Sequence, residues 1–376
     1  MNLMTRFSLR VVAAAAVVAV ALSAAPAALG QAQIKVNDNV NIKFGILLQP
    51  QVDWLSSPTV DGSYSQNLQV RRLRLVVGGQ VAKNVFFYLD TENSRLGGTS
   101  GTTTGTKVIS TGFQVLTAVA EWRIAKEFNL QGGLILVPQS REALKSSSNY
   151  FFLDSDPYAY TQTTALGGTG GRDAGFQLRG YFVDDRLEYR FGAFQGNRNA
   201  SSSTNAASNN SFRYMGRLQY NFLDTEVYNM PSYGGGYLGT KKILALGASY
   251  DTQSDYSGYT FDLCADLPTS FGSVMSTLQY THADGGVYLP ALPKEDWYQA
   301  ELALYAKSVK VGPYFRFDRR NYAAPNNPKN ESRYAVGLGW FPYGYNFNVK
   351  AGWAHLEPNT GLTQNQFTVQ FQVFYF

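Results

Sequence analysis

The sequence is poor in the residues that build disulfides and metal sites. It has one cysteine, Cys264, and two histidines, His282 and His355, in 376 residues. A single cysteine forms no internal disulfide, and so few thiols and imidazoles give no Cys/His cluster for a metal ion. No haem-attachment motif occurs either. The chain is therefore expected to bind no cofactor, and a hydrolytic centre would have to use one of two histidines.

Charge is also scarce, since Asp, Glu, Lys and Arg make up 16% of the residues and the formal net charge is +5. No basic patch or nucleic-acid-binding module occurs, so nucleic acid is not an expected partner. No long apolar run follows residue 24, whereas a membrane-spanning helix needs ~20 consecutive apolar residues. By contrast, the chain has 36 Gly, 25 Tyr, 24 Phe and 5 Trp. That composition is typical of an all-β membrane protein with many turns.

The first 32 residues have the organisation of a cleaved secretory signal peptide. Basic residues precede an apolar run from Val11 to Ala24, and the small residues at 25–32 allow cleavage after Gly30 or Ala32. A membrane anchor is the alternative, but the run is shorter than the ~20 residues needed to span a bilayer. Residues 33–376 are expected to form a single domain.

Alternation of apolar and polar residues marks the first and last parts of this domain. From Val40 to Trp54 one phase is apolar and the other mostly polar, and the stretch from Gln366 to Phe376 repeats the pattern. Period two is typical of a strand with one apolar face. A β-sandwich would show the same alternation. The terminal Phe376 falls in the polar phase, so it is expected to face inward at a rim unless a bulge near Val373 turns it outward.

Link lengths distinguish a barrel from a sandwich. The predicted strands are 40–54, 68–78, 85–92, 114–124, 128–137, 174–183, 186–195, 212–222, 243–251, 259–267, 273–281, 297–305, 309–318, 332–341, 345–355 and 366–376. Links after even-numbered strands are mostly short and those after odd-numbered strands mostly long, with 223–242 as the exception. This asymmetry is typical of bacterial outer-membrane barrels. We therefore predict a 16-stranded transmembrane antiparallel β-barrel in the outer membrane, with both termini periplasmic.

Strand phase places more basic than acidic side chains on the inward face, which would concentrate anions in a low-dielectric pore. The predicted pore-lining cations are Lys43, Arg72, Arg74, Arg123, Arg179, Arg190, Arg213, Arg217, Arg316, Arg333 and Lys350. Arginine dominates this set, and its planar fork suits phosphate and carboxylate groups. The alternative is that many of these cations pair with acids in a rigid wall. Arg71 falls in the outward phase, where it would reach the membrane interface.

The longest link, 138–173, follows the fifth predicted strand and is expected to fold inward as a constriction loop. Its residues that would face the permeating solute are Arg141, Lys145, Ser146, Ser147 and Ser148. The alternative is an external loop that packs only on its neighbours.

Three motifs carry a family resemblance: Arg-Arg-Leu-Arg-Leu at 71–75, Gly-Gly-Leu-Ile-Leu-Val-Pro at 132–138 and Ser-Ser-Asn-Tyr-Phe-Phe at 147–152. Their order and spacing resemble the phosphate-selective porin O and P family over nearly all of the mature chain. The resemblance implies a trimeric 16-stranded barrel with a constriction loop and an arginine-lined anion path that includes Arg72 and Arg74. The expected partners are then the lipid bilayer, the outer-membrane assembly machinery, small anions and two further copies of the chain.

The expected function is passive diffusion of small anions, with phosphate as a candidate solute. A general non-specific porin is one alternative, and an adhesin or the barrel sleeve of an electron-transfer complex is another. A barrel hydrolase is disfavoured because both histidines lie at strand ends or in loops, where His282 with Asp284 would at most imitate a protease dyad. The chain is therefore not expected to be an enzyme.

Overall fold

Sixteen antiparallel strands close into a barrel in the computed structural model, which describes residues 32–376 apart from 58, 99–111, 155, 199–210 and 229. A short strand, β1 (Gln33–Asn37), precedes the barrel. The barrel strands are β2 (Val40–Ser56), β3 (Tyr64–Ala82), β4 (Val85–Leu96), β5 (Gln114–Arg123), β6 (Asn129–Leu136), β7 (Arg172–Phe182), β8 (Leu187–Phe194), β9 (Arg213–Asn221), β10 (Ile243–Gln253), β11 (Tyr256–Pro268), β12 (Gly272–Asp284), β13 (Glu295–Ala306), β14 (Val311–Tyr322), β15 (Glu331–Trp340), β16 (Phe347–Pro358) and β17 (Gln364–Tyr375). All sixteen predicted strands are confirmed. Residues 1–31 of the predicted signal peptide lie outside the described residues.

Each barrel strand pairs with the next along the chain, and the ring closes between β17 and β2. At this closure Thr368 lies opposite Asp53, and Phe374 lies opposite Leu47. β1 forms a hairpin with β2. Closure leaves the sixteen barrel strands without a free edge, as a bilayer requires. The link between β6 and β7 contains a single 3-10 turn (Ser147–Asn149) followed by a short α-helix, α1 (Thr161–Ala165).

The barrel is polar inside and apolar outside. On β7 the outward Phe176 is 68% exposed, whereas the adjacent inward Gln177 is 1% exposed. On β2 the inward Gln49 and Asp53 are likewise buried. The exposed apolar phase is the surface that lipid covers in an outer-membrane barrel. No helix among the described residues has the length and apolar character needed to cross a membrane.

A β-bulge in β3 overturns the outward placement predicted for Arg71. The register between β2 and β3 slips by one after the pair Gln49–Arg72, which leaves Arg71 as the extra residue. A bulge re-aims a side chain relative to the strict two-residue period. Arg71 Nη2 accordingly lies 2.8 Å from Oδ2 of Asp154, on the same carboxylate that Arg72 contacts. Arg71 therefore belongs to the barrel interior.

Both ends of the barrel domain lie at one rim, here called the terminal rim, because β2 begins and β17 ends there. Most links at this rim are short, such as 183–186 and 307–310, whereas the opposite loop rim carries 137–171. The long link 222–242 is a genuine exception at the terminal rim.

The chain ends with an aromatic residue that points into the barrel. The register between β17 and β2 continues to the pair Tyr375–Ile46 with no shift near Val373. The Phe376 ring packs edge-on against the inward-facing Tyr88, with 5.6 Å between ring centroids. The inward prediction for Phe376 is therefore confirmed, and no bulge is needed to explain it.

Candidate pore constriction

Most of the predicted inward cations are held by carboxylates. Arg217 binds Asp262 through two bonds of 2.7 and 2.8 Å, and Arg213 binds Asp251 through bonds of 2.8 and 2.5 Å. The other predicted cations with a carboxylate partner are Arg72, Arg74, Arg123, Arg179, Arg190 and Arg316. Such forked pairs fix both groups in place and compensate each other's charge. These cations therefore form a wall of paired charges and not a row of unpaired arginines.

The loop-rim segment (residues 137–171 apart from 155) contacts inward-facing side chains of β16 and β17. Lys350 Nζ donates to the carbonyl oxygens of Tyr150 and Phe152, both at 3.0 Å. Gln372 Nε2 donates to the carbonyl oxygen of Ser148 at 2.7 Å. These bonds satisfy buried backbone acceptors that would otherwise be costly away from water.

The same segment also contacts β11 and β13. Lys145 Nζ lies 2.9 Å from Oε2 of Glu301, and the backbone N–H of Arg141 donates to Asp262 at 3.0 Å. The loop-rim segment therefore contacts widely separated parts of the inner wall, on β11, β13, β16 and β17.

The residues predicted to face the solute are packed in this arrangement. Arg141 and Lys145 are 1% and 6% exposed, and Ser147 and Ser148 are 6% and 5% exposed. The hydroxyl oxygens of Ser146 and Ser148 lie 2.8 Å apart and bond to each other. Of these residues, Arg141, Lys145 and Ser148 hold the segment against the wall through Asp262, Glu301 and Gln372.

The terminal-rim segment (residues 222–242 apart from 229) meets the loop-rim segment inside the barrel. Ser146 N donates to the carbonyl oxygen of Tyr233 at 2.9 Å, and Tyr233 N donates to that of Leu144 at 2.8 Å. The Tyr233 side chain is fully buried. The guanidinium groups of Arg141 and Arg190 lie 5.0 and 4.8 Å from its ring centroid, within cation–π range.

A buried ion pair joins the two segments. Arg141 donates to both oxygens of Glu226, at 2.6 and 2.8 Å, and Tyr237 Oη donates to the same carboxylate. Burial acts to raise the pKa of Glu226, but the Arg141 guanidinium outweighs it and holds that pKa below its ordinary value. Cys264 lines a small cavity at this junction, together with Arg141 and Tyr237. The thiol is therefore covered while the segments stay joined.

A second cluster gathers three carboxylates around Arg316. Its guanidinium lies 2.9 Å from Asp318, 3.4 Å from Asp156 and 3.6 Å from Glu301. Three buried acids beside one cation cannot all ionise cheaply. Burial and the Asp318 carboxylate raise the pKa of Asp156 to about 8, although Arg316 acts in the opposite direction. Asp156 is therefore largely protonated at neutral pH.

Three predicted pore-lining cations have no carboxylate oxygen within 4.0 Å among the described residues: Lys43, Arg333 and Lys350. Lys43 lies near the terminal rim and Arg333 near the loop rim, and both are half-buried. Lys350 is fully buried against the loop-rim segment. A cation that forms no ion pair between low-dielectric walls attracts anions, although Asp318 lies opposite Arg333 in the sheet and offsets part of its charge.

Sequence analysis missed Asp154, Asp156 and Glu226, three carboxylates that the two segments bring into the barrel. Each lies within 4.0 Å of an interior cation. They reduce the positive excess that the strands alone would give. Their positions in long links carried no periodic signal, so only the folded contacts assign them to the interior.

The histidines have partners that differ from the imagined dyad. His282 Nδ1 lies 2.8 Å from Asp296, not from Asp284, and its ring stacks on Tyr259 with 5.0 Å between centroids. His355 Nδ1 lies 2.8 Å from Oδ1 of Asn365. Within the described part of the chain, no group of three or more His, Cys, Asp or Glu residues is arranged to hold a metal ion.

Solved outer-membrane proteins share this fold. An anion-selective porin from Comamonas acidovorans matches with a TM-score of 0.61 and 12% identity, over 89% of this chain and 99% of that chain. OprB of Pseudomonas putida matches with a TM-score of 0.61 and 9% identity, over 89% and 94% of the two chains. The trimer form of OmpT from Vibrio cholerae matches with a TM-score of 0.53 and 10% identity, over 89% and 99%. At identities this low, the structural matches show a common fold alone.

Sequence comparison identifies the family. No curated protein matches the chain. The sequence profile of phosphate-selective porin O and P matches residues 44–238, which is just over half of the chain. The matched region contains the loop-rim segment and most of the terminal-rim segment. This outer-membrane β-barrel therefore belongs to the phosphate-selective porin O and P family.

Proposed function

We propose that this porin conducts small anions by passive diffusion, with a modest preference over cations. The observation that carries the proposal is the pair of half-buried inward cations with no carboxylate oxygen within 4.0 Å among the described residues, namely Lys43 and Arg333. Because most other interior arginines are neutralised, the preference is modest rather than strict. Phosphate belongs to the class of solute for which arginine and lysine donors are suited.

The loop-rim and terminal-rim segments together narrow the lumen in this proposal. Their support is the set of bonds that tie both segments to the inner wall and to each other. The lining of the pore is then set by side chains that these segments leave partly exposed, including Lys43, Arg74, Arg123 and Arg333. Buried cations such as Arg179 and Arg213 act as supports of the wall.

The same proposal covers the assembly of the protein. Residues 1–32 serve as a cleaved signal peptide, the terminal rim faces the periplasm, and the barrel is inserted by the outer-membrane assembly machinery. The exposed apolar face contacts lipid, and three copies form the trimer, as in the trimer form of OmpT from Vibrio cholerae. We assign no catalytic activity to the barrel.

Proteoliposome swelling tests the proposed function. In isosmotic potassium chloride or phosphate, with valinomycin carrying K+, the purified porin is expected to cause faster swelling than in arabinose, because Lys43 and Arg333 favour anions. The double variant Lys43→Gln/Arg333→Gln should slow entry of the anions and leave arabinose entry unchanged. Swelling at the protein-free rate would contradict a channel, and equal rates for salts and arabinose would make it a general porin.

A further inference from the structure

We infer that residues 156–160 form a strap that closes on the inner wall at the loop rim while it holds a proton and is released as the pH rises. The strap belongs to the loop-rim segment and contacts β13, β14 and β15 near the loop rim. The inference rests on the proposed function, because the strap regulates entry to that same channel.

Two buried side chains fasten the strap. Asp156 Oδ1 lies 3.4 Å from Nη2 of Arg316 on β14, and the same oxygen accepts the backbone N–H of Tyr158 at 2.8 Å. Tyr158 Oη donates to Glu331 on β15 at 2.9 Å, and its ring packs in an apolar cluster with Trp297 on β13. The Asp156 carboxyl group therefore sets both the turn of the strap and its contact with the wall.

Carboxylates outnumber cations around Asp156. The charged groups that face it come from its own segment and from β13, β14 and β15: Glu142, Lys145, Glu301, Arg316, Asp318 and Arg333. With Asp156 these described residues make four carboxylates and three cations, so ionisation of all of them leaves one negative charge in excess. Around Tyr158, two further carboxylates face one cation, namely Glu295, Glu331 and Arg320. These neighbours therefore do not offset the excess.

Arg316 is engaged more closely with another carboxylate than with Asp156. Its Nε donates to both oxygens of Asp318, at 2.9 and 3.0 Å, whereas its contact with Asp156 is 3.4 Å long. Burial and the Asp318 carboxylate accordingly raise the pKa of Asp156 to about 8, although Arg316 acts in the opposite direction. The protonated side chain is therefore the form that fits against the wall.

Release of the strap carries Asp156 into water, where its carboxyl group returns to the ordinary pKa of 3.8. Between pH 3.8 and about 8 the closed strap then holds a proton that the released strap lacks. The equilibrium constant for release rises about tenfold with each pH unit in this range and is constant above it. The closed strap is therefore most stable in acid, and its stability falls as the pH rises to about 8.

Hydrogen–deuterium exchange of the full porin in detergent tests this inference. The backbone N–H groups of Tyr158 and Ala159 report on the strap, because both bond to Asp156 within it. Their protection factors, which are corrected for the intrinsic pH dependence of exchange, are expected to fall about tenfold per pH unit from about pH 5 to 8 and to level off above that. In Asp156→Asn the protection factors should not change with pH.

Two further variants make the result specific. Asp154→Asn is the matched control, because it removes a carboxylate two residues away that contacts Arg71 and Arg72 outside the cluster, so the wild-type slope is expected. Asp318→Asn should move the levelling-off point to lower pH, since it removes the charge that most opposes ionisation of Asp156. This variant tests the strap even where Asp156→Asn fails to fold. Protection that is independent of pH in the wild type, or the wild-type slope in Asp156→Asn, would overturn the inference.

Single-channel conductance in planar bilayers separates the strap from the proposed function. Conductance is expected to increase from about pH 5.5 to 8.5 in the wild type and to stay the same in Asp156→Asn. Protection that falls with pH in a protein without anion current would contradict the proposed function alone. Anion current with pH-independent protection would overturn the strap alone.

Discussion

Glu226→Gln is expected to separate the terminal-rim segment from the loop-rim segment. The substitution keeps the shape of the side chain but leaves the buried Arg141 without its carboxylate, a loss that costs about 3–5 kcal/mol in comparable buried pairs. Cys264 lines the cavity at this junction, and it is the only cysteine of the chain. A methanethiosulfonate reagent should therefore label Cys264 about a hundredfold to several thousandfold faster in the variant, since each 1.4 kcal/mol is about a factor of ten.

The control for this experiment is Asp224→Asn. Asp224 lies in the same segment, but its carboxylate accepts only an exposed backbone bond from Lys242 in the described structure. Labelling at the wild-type rate is expected there. Acid should weaken the same junction in the wild-type protein, because a lowered pKa gives stability that is lost as pH falls through the folded-state pKa of Glu226. The measurement in acid is the urea midpoint of unfolding, because methanethiosulfonates react with the thiolate. Slow labelling in Glu226→Gln would show that the ion pair does not hold the junction.

Arg316→Gln is expected to destabilise the barrel by about 3–5 kcal/mol, because it leaves the buried Asp318 carboxylate without the cation that lies 2.9 Å away, whereas Glu301 keeps Lys145. The measurement is the urea midpoint of unfolding, followed by tryptophan fluorescence. Arg123→Gln is a matched control from the same wall. Its partner Glu121 keeps a second cation, Arg179, at 2.6 Å, so the loss should be much smaller.

The pH dependence of the Arg316 cluster has a defined sign. The pKa of Asp156 is raised from 3.8 to about 8. Between pH 3.8 and about 8 this carboxyl group is therefore protonated in the folded chain and ionised in the unfolded chain. This contribution to the free energy of unfolding is complete at acid pH and is lost as pH rises to about 8. Asp156→Asn should flatten that part of the profile. An Arg316→Gln midpoint equal to wild type, or an unchanged profile in Asp156→Asn, would contradict the assigned cluster.

The barrel could be predicted from sequence because each strand carries its own signal. The stretch from Val40 to Trp54 shows a strict two-residue period, and a bilayer demands that every such strand be paired. The alternation of short and long links then predicts that the barrel has sixteen strands and that both termini lie at the same rim. Strand ends were less certain: β3 extends to Tyr64 and Ala82, beyond the predicted 68–78, because the sheet continues past the apolar band.

The interior contacts could not be predicted in the same way. A two-residue period cannot report a bulge, so Arg71 was assigned to the wrong face. Asp154 and Glu226 lie in irregular links, and their partners are separated from them by many residues in sequence. Such pairs depend on how two links from opposite rims meet. The sequence therefore indicated a positive interior, whereas the folded chain neutralises much of it.

The reversal potential of the wild-type porin in a planar bilayer tests the central claim most directly. Across a tenfold potassium chloride gradient, the unpaired cations predict a potential with the sign of anion preference. Its size should fall well short of the ~59 mV limit for a perfectly selective channel, because most interior arginines are paired. A potential of zero, or one with the sign of cation preference, would contradict the account.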